Sequence, residues 1–313
     1  MKVAVMGAGA VGCYYGAMLA RAGHEVRIVG RMQHVEAVNA RGLILETSGF
    51  TEAIHVAATV DASEVAGADI ILFCVKSNDT IEAGNDMARH LSDRVTVLSL
   101  QNGVDNSERL QAVLKRPVVP VAVYVATDMP APGHVRHHGR GELVIGECPA
   151  SAAITEAFEN AGIPTKVSDR VIEALWTKLI VNCAYNALSA VAQLPYGRLI
   201  EVDGTVDVIR DVVCECADVA GRLGVSVPQD ILETVLGIAA SMPNQYSSTA
   251  QDLARNKTSE IYFLNGYVVR KAAELGIPTP VNRALLVMVK LIETKNAAGG
   301  RQRPSREPAA VRN

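Results

Sequence analysis

Through the first half of the chain, short apolar runs rich in valine and isoleucine alternate with stretches whose apolar residues recur every three or four positions. The runs at 2–6, 25–29, 70–75, 95–100 and 118–125 are bounded by turn residues and predict strands. Strands separated by helices predict a doubly wound parallel sheet, α/β in class, with helices on both faces. Residues 133–147 carry turn glycines around two short apolar groups and predict an edge hairpin; 152–161 returns to helical spacing, and the sheet is expected to close near 167. From 169 the pattern changes to long helical segments at 170–191, 206–223, 229–242, 250–275 and 281–294, with Pro and Gly between them. The expected organisation is an α/β domain at 1–167 and an all-α domain at 168–295. The tail at 296–313, rich in Gly, Pro and Arg, is expected to be disordered.

Composition narrows the partners. With 313 residues, 49% of them hydrophobic, the chain can bury a large core, and a net charge of −3 argues against a nucleic-acid or membrane partner. The N-terminus reaches its glycines without an apolar stretch long enough for a signal peptide or a span, so a cytoplasmic protein is expected. The six cysteines show no Cys-x-x-Cys spacing and read as reduced, buried thiols. A homodimer enters only because an apolar helical domain can pack on its own copy.

Candidate chemistry begins at Gly7-Ala8-Gly9-Ala10-Val11-Gly12, directly after the first strand and at the start of a helix. Gly7 serves the tight turn, Gly9 lets backbone approach a pyrophosphate, and Gly12 lets helix and strand pack closely. The N–H groups of the first helical turn, at Ala10 and Val11, are open to phosphates. This is the dinucleotide fingerprint of a Rossmann-type domain. At the end of the second strand an acidic residue would accept bonds from ribose hydroxyls, but the chain has Gly30-Arg31. A guanidinium pairs with a 2′-phosphate, and no carboxylate follows before Glu36, so NADPH is the expected cofactor. Lys76 and Asn102 each follow an apolar run, where such a sheet delivers residues to its ligand crevice; a surface cation and turn chemistry are their plainer roles.

In the helical half, Lys178, Asn182 and Asn186 recur every four residues in an otherwise apolar segment, which stacks them on one face. A second polar group follows at Ser247, Ser248, Asp252, Glu260 and Asn265. The set reads equally well as a ligand site or as a structural ion pair between Lys178 and Glu260 with amides capping loops. His134-x-x-His137-His138 does not read as a metal site, because Arg136 and Arg140 lie beside it.

Taken in order, the glycine fingerprint, Gly30-Arg31, Val75-Lys76, Gln101-Asn102-Gly103, Leu175-Trp176-Thr177-Lys178-Leu179 with Asn182 and Asn186, Ser247-Ser248 with Gln251-Asp252, and Thr258-x-Glu260-Ile261 through Asn265-Gly266 resemble the ketopantoate reductase family from residue 1 to about 295. The resemblance implies reduction of a small 2-oxo acid, ketopantoate, by NADPH, with substrate held in a cleft between the two domains. It implies Lys178 as general acid, Glu260 orienting substrate and lysine, and Asn102 at the nicotinamide end. It also implies Asn182, Asn186 and Ser248 on the substrate's hydroxyl and carboxylate. Two positions depart from the family pattern: Gln245 stands where an asparagine is common, and Tyr262 where an aspartate is usual. A reductase of another 2-oxo acid therefore stays open, as does a non-catalytic NADPH-binding regulator, which would need no proton donor.

Overall fold

The computed structural model describes residues 1–300, of which the side chains of 299 and 300 are left aside. The chain divides into two compact units, Met1–Leu179 and the part from Ile180 onward.

The first unit is built on β1 (Lys2–Met6), α1 (Ala10–Arg21), β2 (Glu25–Val29), α2 (Met32–Arg41), β3 (Leu43–Glu46), β4 (Thr51–Ile54), β5 (Ala57–Thr59), β6 (Ile70–Phe73), α3 (Thr80–Ala88), β7 (Thr96–Ser99), α4 (Asn106–Leu114), β8 (Val119–Ala131), β9 (His134–Ile145), α5 (Ser151–Asn160) and β10 (Thr165–Val167). Its sheet runs β4-β3-β9-β8-β7-β6-β1-β2-β5, with β10 added on β9. From β5 through β2, β1, β6 and β7 to the start of β8 every pairing is parallel, as expected. The direction of winding reverses at β1, so the crevice at the C-terminal ends of β1 and β6 is the place for a ligand.

Burial explains the continuous apolar runs, because the central strands are covered twice. Val3, Val5, Ile28, Ile70 and Leu72 pack with Cys13, Tyr15, Leu19 and Phe158 on one side. Ala4, Met6, Val29, Ile71 and Phe73 pack with Ala83, Met87 and Leu110 on the other.

The segment 133–147 is not an edge hairpin. It forms one long strand, β9, antiparallel to β8 and parallel to β3 and β10, so it lies inside the sheet. The glycines there serve irregular register along β8 and β9, and Gly139 and Gly141 have positive φ.

The second unit follows on α6 (Val171–Ala192), a helix that begins in the first, with α7 (Tyr196–Ile200), α8 (Thr205–Arg222), α9 (Ile231–Ser241), α10 (Ser248–Ala254), α11 (Asn265–Leu275) and α12 (Pro280–Gly300). On α8, Ile209, Val212, Val213, Cys216, Val219 and Ala220 are buried at helical spacing, while polar residues fill the other face. The segment 250–275 is two helices rather than one, interrupted by left-handed Asn256 and a 3-10 turn at Ile261–Phe263. At the other end α12 runs to Gly300, so the first residues of the expected tail are helical; 301–313 lie outside the described residues. Among the described residues no helix is long and apolar enough to cross a membrane, and no cluster of metal-ligating side chains occurs.

Candidate active site

The glycine loop sits where β1 hands over to α1. A Cβ on Gly12 would stand 2.2 Å from the Gly7 carbonyl oxygen, and one on Gly7, at φ +115°, would stand 2.7 Å from the Val75 nitrogen. A Cβ on Gly9 would meet no protein atom within 4 Å. The backbone around Gly9, ahead of the first turn of α1, thus offers the open cradle that a dinucleotide pyrophosphate requires. Gly7 N–H donates to Val29 O at 2.9 Å, which ties this loop to the end of β2. There Gly30 packs so closely that a Cβ would lie 2.3 Å from that of Ala8.

Arg31 follows at the start of α2, its side chain 78% exposed. The expectation that no carboxylate lies near it is corrected: Asp79 Oδ2 stands 3.1 Å from Arg31 Nη2. The acid comes from the loop after β6, 48 residues along the chain, where no local pattern could reveal it.

Beyond β6 and β7 the chain builds a buried polar cluster. Gln101 Nε2 donates to Val75 O at 3.0 Å and Thr80 Oγ1 at 2.8 Å, while its Oε1 accepts from Ser99 Oγ at 3.1 Å. Asn106 Nδ2 donates to the Asn102 carbonyl at 2.5 Å and to Ser77 Oγ at 2.9 Å. Arg109 Nη1 donates to Asn106 Oδ1 at 2.9 Å. These bonds pin the backbone that carries Asn102 and leave its side chain to reach outward. Asn106 was missed in the sequence, because its bonds to Ser77 and to the Asn102 backbone form only where the loops after β6 and β7 meet. Lys76, half-buried, opens the short turn that leads to Asp79.

Lys178, from α6, joins this edge of the first unit. Its Nζ donates to Asn102 Oδ1 at 2.8 Å and to Val123 O at 2.5 Å. Two neutral oxygens thus hold the ammonium in a fixed position, half-buried.

In the second unit, Asn182 and Asn186 follow on successive turns of α6, and Asn186 is 2% exposed. Of the serine pair, Ser247 is structural: its Oγ accepts from Ala250 N at 3.0 Å and donates to Asn186 O at 3.1 Å. Ser248 is exposed at the start of α10. Glu260 is half-buried and precedes the 3-10 turn, its carbonyl accepting from Phe263 N at 2.8 Å. The two departures make local contacts. Gln245 Nε2 donates to Tyr246 O at 2.7 Å, and the Tyr262 ring lies under the Arg270 guanidinium at 3.8 Å.

The sequence matches two family models, "Ketopantoate reductase PanE/ApbA" over residues 3–150 and its C-terminal counterpart over 170–293. It is 33% identical to a 2-dehydropantoate 2-reductase of Pyrococcus horikoshii, covering 96% of this chain and 99% of that one. A Halobacterium salinarum protein of the same name is 34% identical, covering 94% and 99% respectively. A crystal structure of a PanE/ApbA family ketopantoate reductase from Ralstonia eutropha superposes with a TM-score of 0.93 at 56% identity, covering 95% of this chain and 100% of that one. A D-mandelate dehydrogenase solved with NADH and anilino(oxo)acetate shares the fold at 23% identity and a TM-score of 0.88, covering 95% of this chain and 100% of that one.

Proposed function

This chain belongs to the ketopantoate reductase family, and on that premise we propose that it reduces 2-dehydropantoate (ketopantoate) to (R)-pantoate with NADPH, a step toward pantothenate and coenzyme A. The observation that carries the reading is the Lys178 ammonium held by Asn102 Oδ1 at 2.8 Å, beside the strand ends that bear the glycine loop. A purely regulatory nucleotide-binding protein has no use for a positioned proton donor there.

The dinucleotide fits the glycine cradle, with Gly7, Gly9, Ala10, Val11 and Gly12 around the pyrophosphate, Arg31 on the 2′-phosphate, and Lys76 and Asn102 farther along. The reduced nicotinamide supplies the hydride. As the 2-oxo carbon is reduced, its oxygen becomes an alkoxide, and Lys178 Nζ transfers a proton to it; the neutral amine then regains a proton from solvent. A donor placed where negative charge develops stabilises the transition state more than the ground state. Asn102 accepts from Lys178 through its oxygen, which leaves its amide nitrogen for the nicotinamide end. Asn182, Asn186 and Ser248 are assigned to the substrate's hydroxyl and carboxylate, and Glu260 to orienting the substrate.

The test follows NADPH absorbance against a panel of 2-oxo acids. Ketopantoate should be the best substrate, and an analogue without its terminal hydroxyl should suffer because buried partners are left unpaired. Turnover of another 2-oxo acid with none of ketopantoate would refute the named substrate and turn attention to Gln245.

A further inference from the structure

The Rossmann pattern places an acid at the end of β2 to accept the ribose hydroxyls of NADH, and this chain has Arg31 in its place. The structure nevertheless brings a carboxylate to that guanidinium by another route. Asp79 ends the 3-10 turn after β6, and its Oδ2 lies 3.1 Å from Arg31 Nη2. Its backbone N–H donates to Lys76 O at 2.8 Å, and its carboxylate caps no N–H of α3 although the residue stands at that helix's N-cap. The acid is therefore directed at the arginine. At 78% and 40% exposure the two side chains remain open to a ligand.

We propose that Asp79 is a specificity-determining residue, which occupies one edge of the Arg31 guanidinium and competes with the 2′-phosphate of NADPH for it. The inference rests on Arg31 being the 2′-phosphate ligand, as argued above. A guanidinium has five N–H donors, so Asp79 does not block the phosphate outright. It places a like charge beside a dianion, which weakens the phosphate ligand, whereas a 2′-hydroxyl brings no charge for it to repel. The protein consequently separates NADPH from NADH less sharply than an unopposed arginine would.

The test uses the full chain and two probes without nicotinamide, 2′,5′-ADP and 5′-ADP, with affinities measured by calorimetry for wild type, Asp79→Asn, Arg31→Ala and the double variant. Thermal melts check that each variant folds. Asp79→Asn should tighten 2′,5′-ADP by about 3–10-fold at low salt, less at high salt, with little change for 5′-ADP. In the Arg31→Ala background the same change should do nothing comparable. Unchanged or weaker 2′,5′-ADP binding in Asp79→Asn, with Arg31→Ala still losing that probe selectively over 5′-ADP, overturns the role of Asp79 and leaves the NADPH reading intact. Equal loss of both probes in Arg31→Ala overturns both. The steady-state preference for NADPH over NADH should rise in Asp79→Asn in parallel.

Discussion

Lys178 and Asn102 form the pair on which the proposed chemistry turns, and each can be altered with a distinct result. Lys178→Met keeps most of the bulk and removes the donor. It should lower kcat by about 10²–10⁴-fold while NADPH affinity, which the proposed function assigns to the glycine loop and Arg31, changes little. Near-normal kcat in that variant would make the lysine a structural cation and move the search for a donor to Lys76. Glu260→Ala should instead raise KM as well as lower kcat, since that carboxylate is asked to hold substrate. Gly12→Ala tests the cradle. With a Cβ only 2.2 Å from the Gly7 oxygen the loop must open, so dinucleotide binding should fall even where the melting temperature is largely kept.

At the scale of elements, one helix start offers a clean test. Glu215 on α8 accepts from the backbone N–H groups of Val281 and Asn282, both at 2.9 Å, so its carboxylate caps α12 from a neighbouring helix. It also accepts from Asn282 Nδ2 at 2.8 Å. Glu215→Ala should destabilise the protein by roughly 1–2 kcal/mol, the usual loss for a helix cap, read as a lower denaturant midpoint. No local pattern announces such a cap, because its donor and acceptor are 66 residues apart. The elements that could be read from the chain were those whose signal is local. β1 and β2 fall where the apolar runs place them: Val3 to Met6 are buried in a row, and in β2 Val26, Ile28 and Val29 are buried around the half-buried Arg27. β4 is largely exposed and β5 is only three residues long, so neither alternation nor a run marks them. The break at 255–260 was readable in part: Asn256, Thr258 and Ser259 are poor helix formers, but the apolar residues on either side kept a helical spacing that hid it. The site followed the same rule. Glycines, Lys178 and the asparagines carry their meaning in spacing, whereas Asp79 and Asn106 acquire theirs only when distant strands meet.

For the whole molecule, the thiols report how tightly the fold is closed. Burial pushes the Cys13 thiol up to about 12 and raises those of Cys74 and Cys183 as well, whereas Cys214 is exposed on α8. Labelling with a thiol reagent near neutral pH, followed by peptide mass spectrometry, should modify Cys214 first. Cys13, Cys183 and Cys216, all buried, should react only as the chain opens. Since Cys13 lies on α1 just past the glycine loop, NADPH at saturating concentration should slow its labelling further, because a ligand that binds only the folded form stabilises it by mass action. The same thiol fixes a sign for alkaline stability. Cys13 stays protonated in the native state up to about 12 but ionises near 9.0 when unfolded, so unfolding releases a proton between those values. Its contribution to stability is therefore complete below pH 9 and is lost progressively as pH rises toward 12. Cys13→Ala should reduce that alkaline loss relative to wild type in denaturant titrations at successive pH values. An equal slope in both proteins would mean that other groups set it.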